Sequence, residues 1–364
     1  MASSSDKTAL SFKRYPATTN RSLQPWNAAD DHILQTVREN DLSEKFIAIY
    51  NDTFGYLSCH LHSSKPVIIV DRKSQEKSVQ NNLKLNNLAE NLVKIQTPLD
   101  EFPNPVELGI INIPKSMELF RFYLSSMNTV LDDDGVVICG FMTKYFTPQM
   151  LTIAEDFFGD VHQSMAWKKS RVLVLKGKKP VEQESAQISM STDFGEIKQY
   201  PGVFSGDHID YATQFLIQHL DLLETEKTIA DVGSGNGVIA SFIQQKNPGV
   251  ELHLIDDSIL AIESSKLNLK PENTTFHWDD TLSSIEVNTL DLAVSNPPFH
   301  FGYEPNIEVS LKLFKQIALC LKPGGRFLCV SNKHLNYKTH LEKLFSTVQV
   351  IAENDKFEVL GSVK

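Results

Sequence analysis

The chain has 364 residues, of which 41% are apolar, and its formal net charge at pH 7 is −10. That length favours two domains, and the negative charge argues against a protein that coats nucleic acid through bulk electrostatic attraction alone. No apolar run approaches the roughly 18 residues that a membrane span requires. Residues 1–6 lack the pattern of a signal peptide. We therefore expect a cytoplasmic protein without a membrane partner.

The four cysteines, Cys59, Cys139, Cys320 and Cys329, are never paired at the spacing of a metal site. Three of them lie in apolar stretches of the kind that become protein core. Cysteine usage of this kind favours a reduced, intracellular protein. We therefore predict that the protein binds no metal. Separately, we favour a monomer over an oligomer.

The first half of the chain predicts an α/β unit. Three strand-like runs and one helix-like segment occur at 46–50, 67–70, 75–86 and 107–111. Residues 181–195 are polar and poor in aliphatic side chains, so we interpret them as a linker. This linker separates a domain at 1–180 from a domain at 196–364.

The second half alternates between strand and helix patterns, which is typical of a parallel sheet covered on both faces. Strands are predicted at 228–232, 251–256, 274–278, 290–295 and 325–331. Helices are predicted at 207–222, 237–246, 258–269, 307–321 and 335–345. Two further strand-like runs, 347–352 and 357–363, end the chain as a hairpin, which is characteristic of class I methyltransferases.

A faint internal repeat relates the two halves. Asp71 and Asn112, each at a strand end, are 41 positions apart, and Asp256 and Asn296 are 40 positions apart. This agreement predicts two tandem class I methyltransferase (Rossmann-like) domains. The first copy lacks the glycine spacing found after residue 232, and it has isoleucine and lysine where the second copy has a proline and a phenylalanine. We therefore interpret the first domain as degenerate. Substrate recognition or subunit packing would then be its role, and we favour RNA recognition.

A glycine-rich turn follows the strand at 228–232, where backbone can approach a ligand closely. Its predicted cofactor-binding residues are Asp231, Gly233, Ser234, Gly235 and Gly237. The dinucleotide pattern would place a third glycine at Val238, and a phosphate-binding loop would need a lysine that is missing. The pattern instead suits S-adenosylmethionine, whose cationic end Asp231 or a backbone carbonyl can face.

Two further carboxylates follow neighbouring strands. Asp256 closes the second strand of this unit, where a carboxylate can accept both ribose hydroxyls. Asp280 follows the third strand and is placed to accept from the adenine amino group. Asp279 competes for that role, since either residue could cap a turn.

The sequence Asn296-Pro297-Pro298-Phe299 stands at the end of the strand at 290–295. The Asn296 side-chain oxygen and the Pro297 carbonyl can accept from the two N–H groups of a planar amine. Those contacts would turn the nitrogen lone pair towards the methyl group, and proline fixes the direction of its carbonyl. Phe299 offers a ring on which a base can stack. We predict these three as the catalytic residues.

Basic residues beside Trp167 are a candidate RNA contact. Lys168, Lys169 and Arg171 follow this tryptophan closely, and cations next to an aromatic ring suit unpaired bases. The acceptor remains open on these grounds, because adenine, cytosine, guanine and glutamine amides all present a planar amine. A non-enzymatic RNA-binding protein with a relic site is a further alternative.

Beyond these motifs, the chain resembles the bacterial ribosomal RNA guanine-N2 methyltransferases. It is more similar to the large-subunit methyltransferase G family than to the small-subunit methyltransferase C family. The matching segments are 12–18, 26–30, 51–55, 166–169, 203–205, 235–239, 296–300, 332–335 and 354–357. The resemblance implies two methyltransferase-like domains, of which only the second binds S-adenosylmethionine. It also implies a guanine in 23S ribosomal RNA as the acceptor, on RNA stripped of most ribosomal proteins. One loop, Gly206–Asp210, departs from the family pattern.

Overall fold

The computed structural model describes residues 10–102, 105–181, 187–192, 195–203, 208–298, 300–301, 304–305 and 307–364. The chain divides into two compact units, Met1–Glu184 and Ser185–Lys364. Within the described ranges, none of the helices combines the length and the apolar character needed to cross a bilayer.

The first unit contains a seven-stranded sheet and five α-helices among its described residues. Its strands are β1 (Ile47–Tyr50), β2 (Val67–Ile69), β3 (Lys94–Gln96), β4 (Val106–Asn112), β5 (Leu131–Met142), β6 (Phe158–Gln163) and β7 (Ser170–Lys178). Its helices are α1 (Ala28–Glu39), α2 (Tyr56–His60), α3 (Lys73–Leu85), α4 (Met117–Val130) and α5 (Gln149–Phe157).

The second unit opens with the hairpin β8 (Ile188–Thr192) and β9 (Gly195–Gln199). Its other strands are β10 (Thr228–Val232), β11 (Glu251–Asp256), β12 (Thr274–Trp278), β13 (Leu290–Ser295), β14 (His300–Phe301), β15 (Glu304–Pro305), β16 (Leu321–Asn332), β17 (Thr347–Glu353) and β18 (Phe357–Val363). Its helices are α6 (Tyr211–Gln218), α7 (Val238–Lys246), α8 (Ile259–Asn268), α9 (Glu308–Cys320) and α10 (Tyr337–Leu341).

Both units have the same sheet topology. The strand orders are β3-β2-β1-β4-β5-β7-β6 and β12-β11-β10-β13-β16-β18-β17. In each sheet the first five strands are parallel, and the last two pair antiparallel. The predicted fold class, two tandem class I methyltransferase domains with a degenerate first copy, is confirmed.

An asparagine near the end of one helix repeats the same contacts in each unit. In the first unit, the Asn82 amide nitrogen donates to the carbonyls of Lys13 and Phe54, and its oxygen accepts from the Lys13 N–H. In the second unit, Asn268 makes the corresponding three bonds with Lys198 and Asn236. The repeat therefore extends beyond the seven-stranded sheets to the segments that precede and follow the first strand of each sheet.

The parallel strands are buried because helices cover both faces of each sheet. Along β10 and β13, side chains alternate between two apolar cores. Ile229 and Leu292 belong to one, and Ala230 and Ala293 belong to the other. This burial fixes the register of the central strands. Because these strands are parallel, their carboxyl ends lie along a single edge of the sheet.

The structure differs from the sequence interpretation at four segments. One is the helix predicted at 335–345, which spans only Tyr337–Leu341. Residues 188–192, inside the interpreted linker, form β8, whose Met190 is buried. The helix predicted at 207–222 spans Tyr211–Gln218, since Asp210 caps its start and His219 is its C-cap. Strand β16 begins before residue 325, and its pairing with β13 jumps from Leu321 to Arg326, so the Pro-Gly-Gly segment forms an irregularity within the strand bounds.

Candidate functional site

The glycine turn and the Asn-Pro-Pro segment meet at the carboxyl edge of the second sheet. Strand β10 lies between β11 and β13, so the segments that follow these strands are neighbours. The Gly233 N–H donates to the Ile255 carbonyl over 2.8 Å. A Cβ atom added at Gly233 would lie 3.9 Å from both the Asn296 carbonyl oxygen and the Pro298 Cδ. The two motifs found in the sequence therefore line the same edge, as crevices of α/β sheets do.

The turn uses glycine for conformation and for packing. Gly233, Gly235 and Gly237 have φ values of 74°, 57° and 78°, which L-residues rarely adopt. At Gly237 an added Cβ would lie 2.6 Å from the Leu269 Cδ1. The Ser265 hydroxyl donates to the Gly235 carbonyl over 2.9 Å. The backbone is thus held in one conformation at the start of α7.

Asp231 is fully buried within β10. Its Oδ2 accepts from the Ala240 N–H over 3.2 Å, which helps to satisfy the first turn of α7. Its Oδ1 and the buried Ser234 hydroxyl have no hydrogen-bond partner among the described residues. Burial and, more weakly, the Asp256 charge raise the pKa of the Asp231 carboxyl to about 7, against the backbone hydrogen bond from Ala240.

Those two buried polar atoms test whether the turn fits S-adenosylmethionine. A buried acceptor without a partner carries a desolvation cost that a ligand can offset. A carboxylate suits the cationic end of this cofactor, and the glycine backbone leaves room for close approach. Asp231 and Ser234 are therefore the residues that would hold its amino acid portion. The predicted residues of the turn fit this cofactor.

Asp256 stands at the end of β11 and is half-buried. One carboxylate oxygen accepts from the Gly235 N–H over 2.9 Å, and the other accepts from the Ser258 N–H over 2.8 Å. Helix α8 is capped by the Ser258 hydroxyl and not by Asp256. The carboxylate is thus fixed beside the glycine turn, where the sequence predicts a contact with ribose.

The two aspartates after β12 have different surroundings. Asp279 accepts from the N–H and hydroxyl of Thr281 and from the Ser283 hydroxyl, so it caps the following turn. The Asp279 N–H donates to the Asp256 carbonyl over 3.1 Å, which keeps this segment beside β11. Asp280 is half-buried next to that turn. Its contact with adenine stays a prediction.

Asn296 is half-buried directly after β13, and Pro297 behind it is buried. The Asn296 amide nitrogen donates to the Asp210 Oδ2 over 3.0 Å and to the Thr213 hydroxyl over 2.9 Å. An ionised carboxylate only accepts, so the nitrogen must face it and the Asn296 oxygen points the other way. Phe299, the third predicted catalytic residue, lies outside the described residues.

Asp210 and Thr213 were missed by the sequence analysis. An aspartate at the start of a helix is the usual signal of an N-cap, and the Asp210 carboxylate does accept from the N–H groups of Ala212 and Thr213. Both side chains also accept a hydrogen bond from Asn296, which lies 86 and 83 residues away from them in the sequence. No local pattern reveals a pairing over that separation.

The predicted RNA contacts belong to the first unit, on a tight turn before β7. Lys168 and Lys169 have φ values of 46° and 65° and are exposed. Trp167 and Ser170 exchange backbone hydrogen bonds of 2.9 and 2.8 Å across them, as in a type I′ turn. Arg171 follows and is half-buried. The buried Ser170 hydroxyl donates to the Trp167 carbonyl over 2.6 Å, which stabilises the turn.

This turn borders a cavity of about 550 Å³ in the first unit. Aromatic rings of Tyr56, His60 and Trp167 line it, together with the cations of Arg38 and Lys168 and two acidic side chains. The Lys168 ammonium lies 4.3 Å from the Trp167 ring centroid. The cavity thus offers rings for stacking and cations at its rim.

Among the described residues, no group of three His, Cys, Asp or Glu side chains is arranged to hold a metal ion. The four cysteines are buried and unbridged. Burial raises the pKa of the Cys59 thiol to about 12, and it also raises the pKa of the Cys139 and Cys329 thiols. These thiols are therefore core residues and poor nucleophiles.

Two family models together match most of the chain. The RLMG N-terminal domain model matches residues 1–179, and the methyltransferase small domain model matches residues 195–361. Ribosomal RNA large subunit methyltransferase G of Yersinia enterocolitica is 31% identical, over 98% of this chain and 92% of that protein. The protein of the same name from Yersinia pseudotuberculosis is 32% identical, with the same two coverages.

A solved structure supports the fold independently. The T. thermophilus 16S rRNA N2 G1207 methyltransferase, in complex with AdoMet and guanosine, superimposes with a TM-score of 0.74 at 20% identity. The match covers 89% of this chain and 91% of that chain. At this identity the likeness establishes the architecture of both units and nothing finer. With nearly full-length relatives above 30% identity, the chain belongs to the ribosomal RNA large subunit methyltransferase G family.

Proposed function

We propose that this protein transfers a methyl group from S-adenosylmethionine to the exocyclic N2 of a guanine in 23S ribosomal RNA, on RNA that is largely free of ribosomal proteins. The observation that carries the proposal is the meeting of the Gly233–Gly237 turn with Asn296 at one sheet edge. The relatives are named as methyltransferases of large-subunit ribosomal RNA, which supports the choice of RNA, and the guanine rests on the resemblance to the guanine-N2 methyltransferases. The reaction is then a cytoplasmic one.

When bound, S-adenosylmethionine supplies an activated methyl group to the acceptor nitrogen. Asp231 and Ser234 would hold the amino acid end through the two buried atoms that have no other partner among the described residues. Asp256 would accept the ribose hydroxyls, and Asp280 would accept the adenine amino group. Gly235 keeps the backbone clear of side-chain bulk where the ligand lies.

At the acceptor, the Asn296 oxygen would accept one N–H bond of the guanine amine. The Pro297 carbonyl would accept the other, and Phe299 would stack on the base. The lone pair of such an amine is delocalised into the ring, so fixing both N–H bonds orients it for an in-line displacement. A strong general base is unnecessary, since methylation itself makes the nitrogen-bound proton acidic.

We place part of the RNA contact on the first unit, at Lys168, Lys169 and Arg171. Residues 1–184 carry 21 Lys and Arg against 22 Asp and Glu, whereas residues 185–364 carry 14 against 23. The nearly balanced first unit therefore repels phosphate less than the acidic second unit. The rigid two-lysine turn and the rings of the adjacent cavity support this assignment.

Methyl transfer from labelled S-adenosylmethionine to separate acceptors tests the proposal. We expect incorporation into deproteinised 23S ribosomal RNA, with mapping of the product to one guanine by primer extension. Preferential labelling of 16S RNA would favour the small-subunit alternative. Labelling of a protein glutamine or of DNA adenine would refute the RNA assignment. Light scattering of the same preparation tests whether the protein is a monomer, as we propose.

A further inference from the structure

The Asn296 amide is held on its nitrogen side by two acceptors from a single helix turn. The Asp210 Oδ2 and the Thr213 hydroxyl lie 3.0 and 2.9 Å from this nitrogen. An amide nitrogen has two hydrogens, and two acceptors account for both of them. Rotation of the amide by a half turn would set its oxygen against a carboxylate. The amide is therefore held in one orientation.

Asp210 is itself fixed at the start of α6. Its Oδ2 accepts from the N–H groups of Ala212 and Thr213 over 3.0 and 3.1 Å. The positive end of the helix dipole favours a negative charge at this point. Thr213 is 6% exposed and Leu216 is fully buried, so α6 is anchored on the sheet. The contact with Asn296 thus links a packed helix to the end of β13.

We propose that Asp210 and Thr213 are positioning residues for methyl transfer, which act through Asn296 and do not touch the acceptor. The proposal rests on the function proposed above. Thr213 fixes the direction of the amide, and the Asp210 charge polarises it so that more negative charge lies on the Asn296 oxygen. That oxygen faces an acceptor nitrogen that gains positive charge during the reaction, and preorganised dipoles of this kind lower such barriers.

The step itself balances without a further reagent. The guanine N2 forms a bond to the methyl carbon while the carbon–sulfur bond breaks, and the electron pair of that bond remains on sulfur. The nitrogen then loses one proton to water. The polarised Asn296 oxygen interacts more strongly with the N–H bond as positive charge builds up. The contribution of Asp210 is therefore to the chemical step, and not to the affinity for either substrate.

The first unit has a related contact at a different position of its first helix. Asn112, at the end of β4, donates to the Asp30 carboxylate over 2.8 Å. Asp30 lies three residues after the N-cap Asn27 of α1, as Thr213 lies three residues after the N-cap Asp210 of α6. A strand-end asparagine that donates to the first turn of this helix is thus common to both units. The pair of acceptors formed by an N-cap aspartate and a threonine belongs to the unit that has the glycine turn.

Three substitutions test the proposal in the full-length protein. Asp210→Asn keeps a capping side chain but removes the charge, and we expect kcat to fall about ten- to a hundredfold. Thr213→Val removes one acceptor and should lower kcat by about tenfold, whereas Thr213→Ser, which restores the hydroxyl, should recover most of it. The KM for RNA and the Kd for S-adenosylmethionine should change by less than about threefold.

Asp30→Asn is the control, since it alters the aspartate that the strand-end Asn112 contacts in the other unit, and it should leave kcat unchanged. An unchanged kcat for Asp210→Asn would overturn the proposal. So would a loss of kcat that is accompanied by an equal loss of cofactor affinity, because that pattern indicates general damage to the pocket. Failure of Thr213→Ser to recover activity would remove Thr213 from the assignment.

A spectroscopic measurement separates this proposal from the choice of substrate. In protein labelled with ¹⁵N at asparagine, the Asn296 side-chain amide hydrogens should exchange slowly with water. Asp210→Asn and Thr213→Val should each shift these resonances and speed the exchange. Unaltered resonances would refute the contact of Asn296 with Asp210 and Thr213. If the wild-type protein methylates no ribosomal RNA while the resonances respond as expected, the proposed function fails and this contact stands.

Discussion

The turns after β1 and β10 keep the same ends and differ in the middle. Gly55 and Gly237 begin the following helices with φ values of 76° and 78°. Asn51 and Gly233 open the turns with φ values of 59° and 74°. Gly235, at φ 57°, has no counterpart with positive φ in the first unit's turn, all of which the structure describes. The ends therefore belong to the strand-to-helix connection, and the middle glycine is the part that a ligand demands.

The carboxylates near these turns also differ between the two units, in whether the protein supplies their hydrogen-bond partners. In the first unit Ile49 takes the place of Asp231, and Asp52 accepts from the Ser58 N–H over 2.7 Å and from the Ser58 hydroxyl. In the second unit the Asp231 Oδ1 has no such partner among the described residues. A lost cofactor site is thus marked by acceptors that the protein satisfies internally, and a retained one by acceptors left for the ligand.

Removal of the strand-end asparagine should separate the two units most sharply. Asn296→Ala should lower kcat by about 10²- to 10³-fold, because a preorganised acceptor at the reacting nitrogen is lost. Binding of S-adenosylmethionine, measured by calorimetry, should persist. Asn112→Ala should leave kcat intact, although the buried Asp30 loses a donor. If Asn296→Ala abolishes cofactor binding together with transfer, our assignment of its role is wrong.

Substitution of the glycine that starts α2 or α7 should lower stability by similar amounts, but the two substitutions should differ in their effect on function. A Cβ at Gly237 would lie 2.6 Å from Leu269, and a Cβ at Gly55 would lie 2.9 Å from the Val79 Cα. Each Gly→Ala change should lower the free energy of unfolding by about 1–3 kcal/mol, measured by urea denaturation. Only Gly237→Ala should also weaken cofactor binding. Equal loss of binding in Gly55→Ala would contradict the degeneracy of the first unit.

The sequence alone predicts the strands that carry the site, but it does not predict the hydrogen bonds between the residues of the site. Strands β10 to β13 begin and end as predicted, because polar, proline-containing or glycine-containing segments bound each of them. The alternation in 188–192 was hidden by serine and threonine, so β8 was interpreted as linker. The bond between Asp210 and Asn296 depends on how α6 packs on the sheet, and no spacing rule encodes that distance.

Protonation offers a smaller test, because each unit has a buried aspartate with a perturbed pKa. Burial raises the pKa of both Asp231 and Asp30 to about 7. Their folded-state pKa values exceed the unfolded ones, so each contributes stability that declines as pH rises from about 4 to about 7. A cationic ligand favours ionised Asp231. The Kd for S-adenosylmethionine should therefore fall by up to about tenfold for each increase of one in pH, and it should level off above about pH 7.

Calorimetry between about pH 5.5 and 8 with two variants assigns this slope. Asp231→Asn should flatten the dependence of the Kd on pH and weaken binding at the higher pH. Asp30→Asn should leave the slope unchanged, since the first unit takes no part in cofactor binding. A slope that survives Asp231→Asn would show that another group titrates with the ligand.

Removal of charge from the two-lysine turn should give the smallest effect, and it tests what the first unit gained in place of catalysis. Lys168→Gln combined with Lys169→Gln should weaken binding of unstructured RNA several-fold at low salt. The slope of log K against log salt should become shallower by about 0.7 for each phosphate that the lysines no longer neutralise. The matched control is Lys315→Gln with Lys343→Gln, which removes the same charge from exposed sites of the second unit. An equal change in both double variants would indicate a general charge effect. A larger change in the first, with the Kd for S-adenosylmethionine unaltered in both, would place RNA recognition in the unit that has no complete cofactor turn.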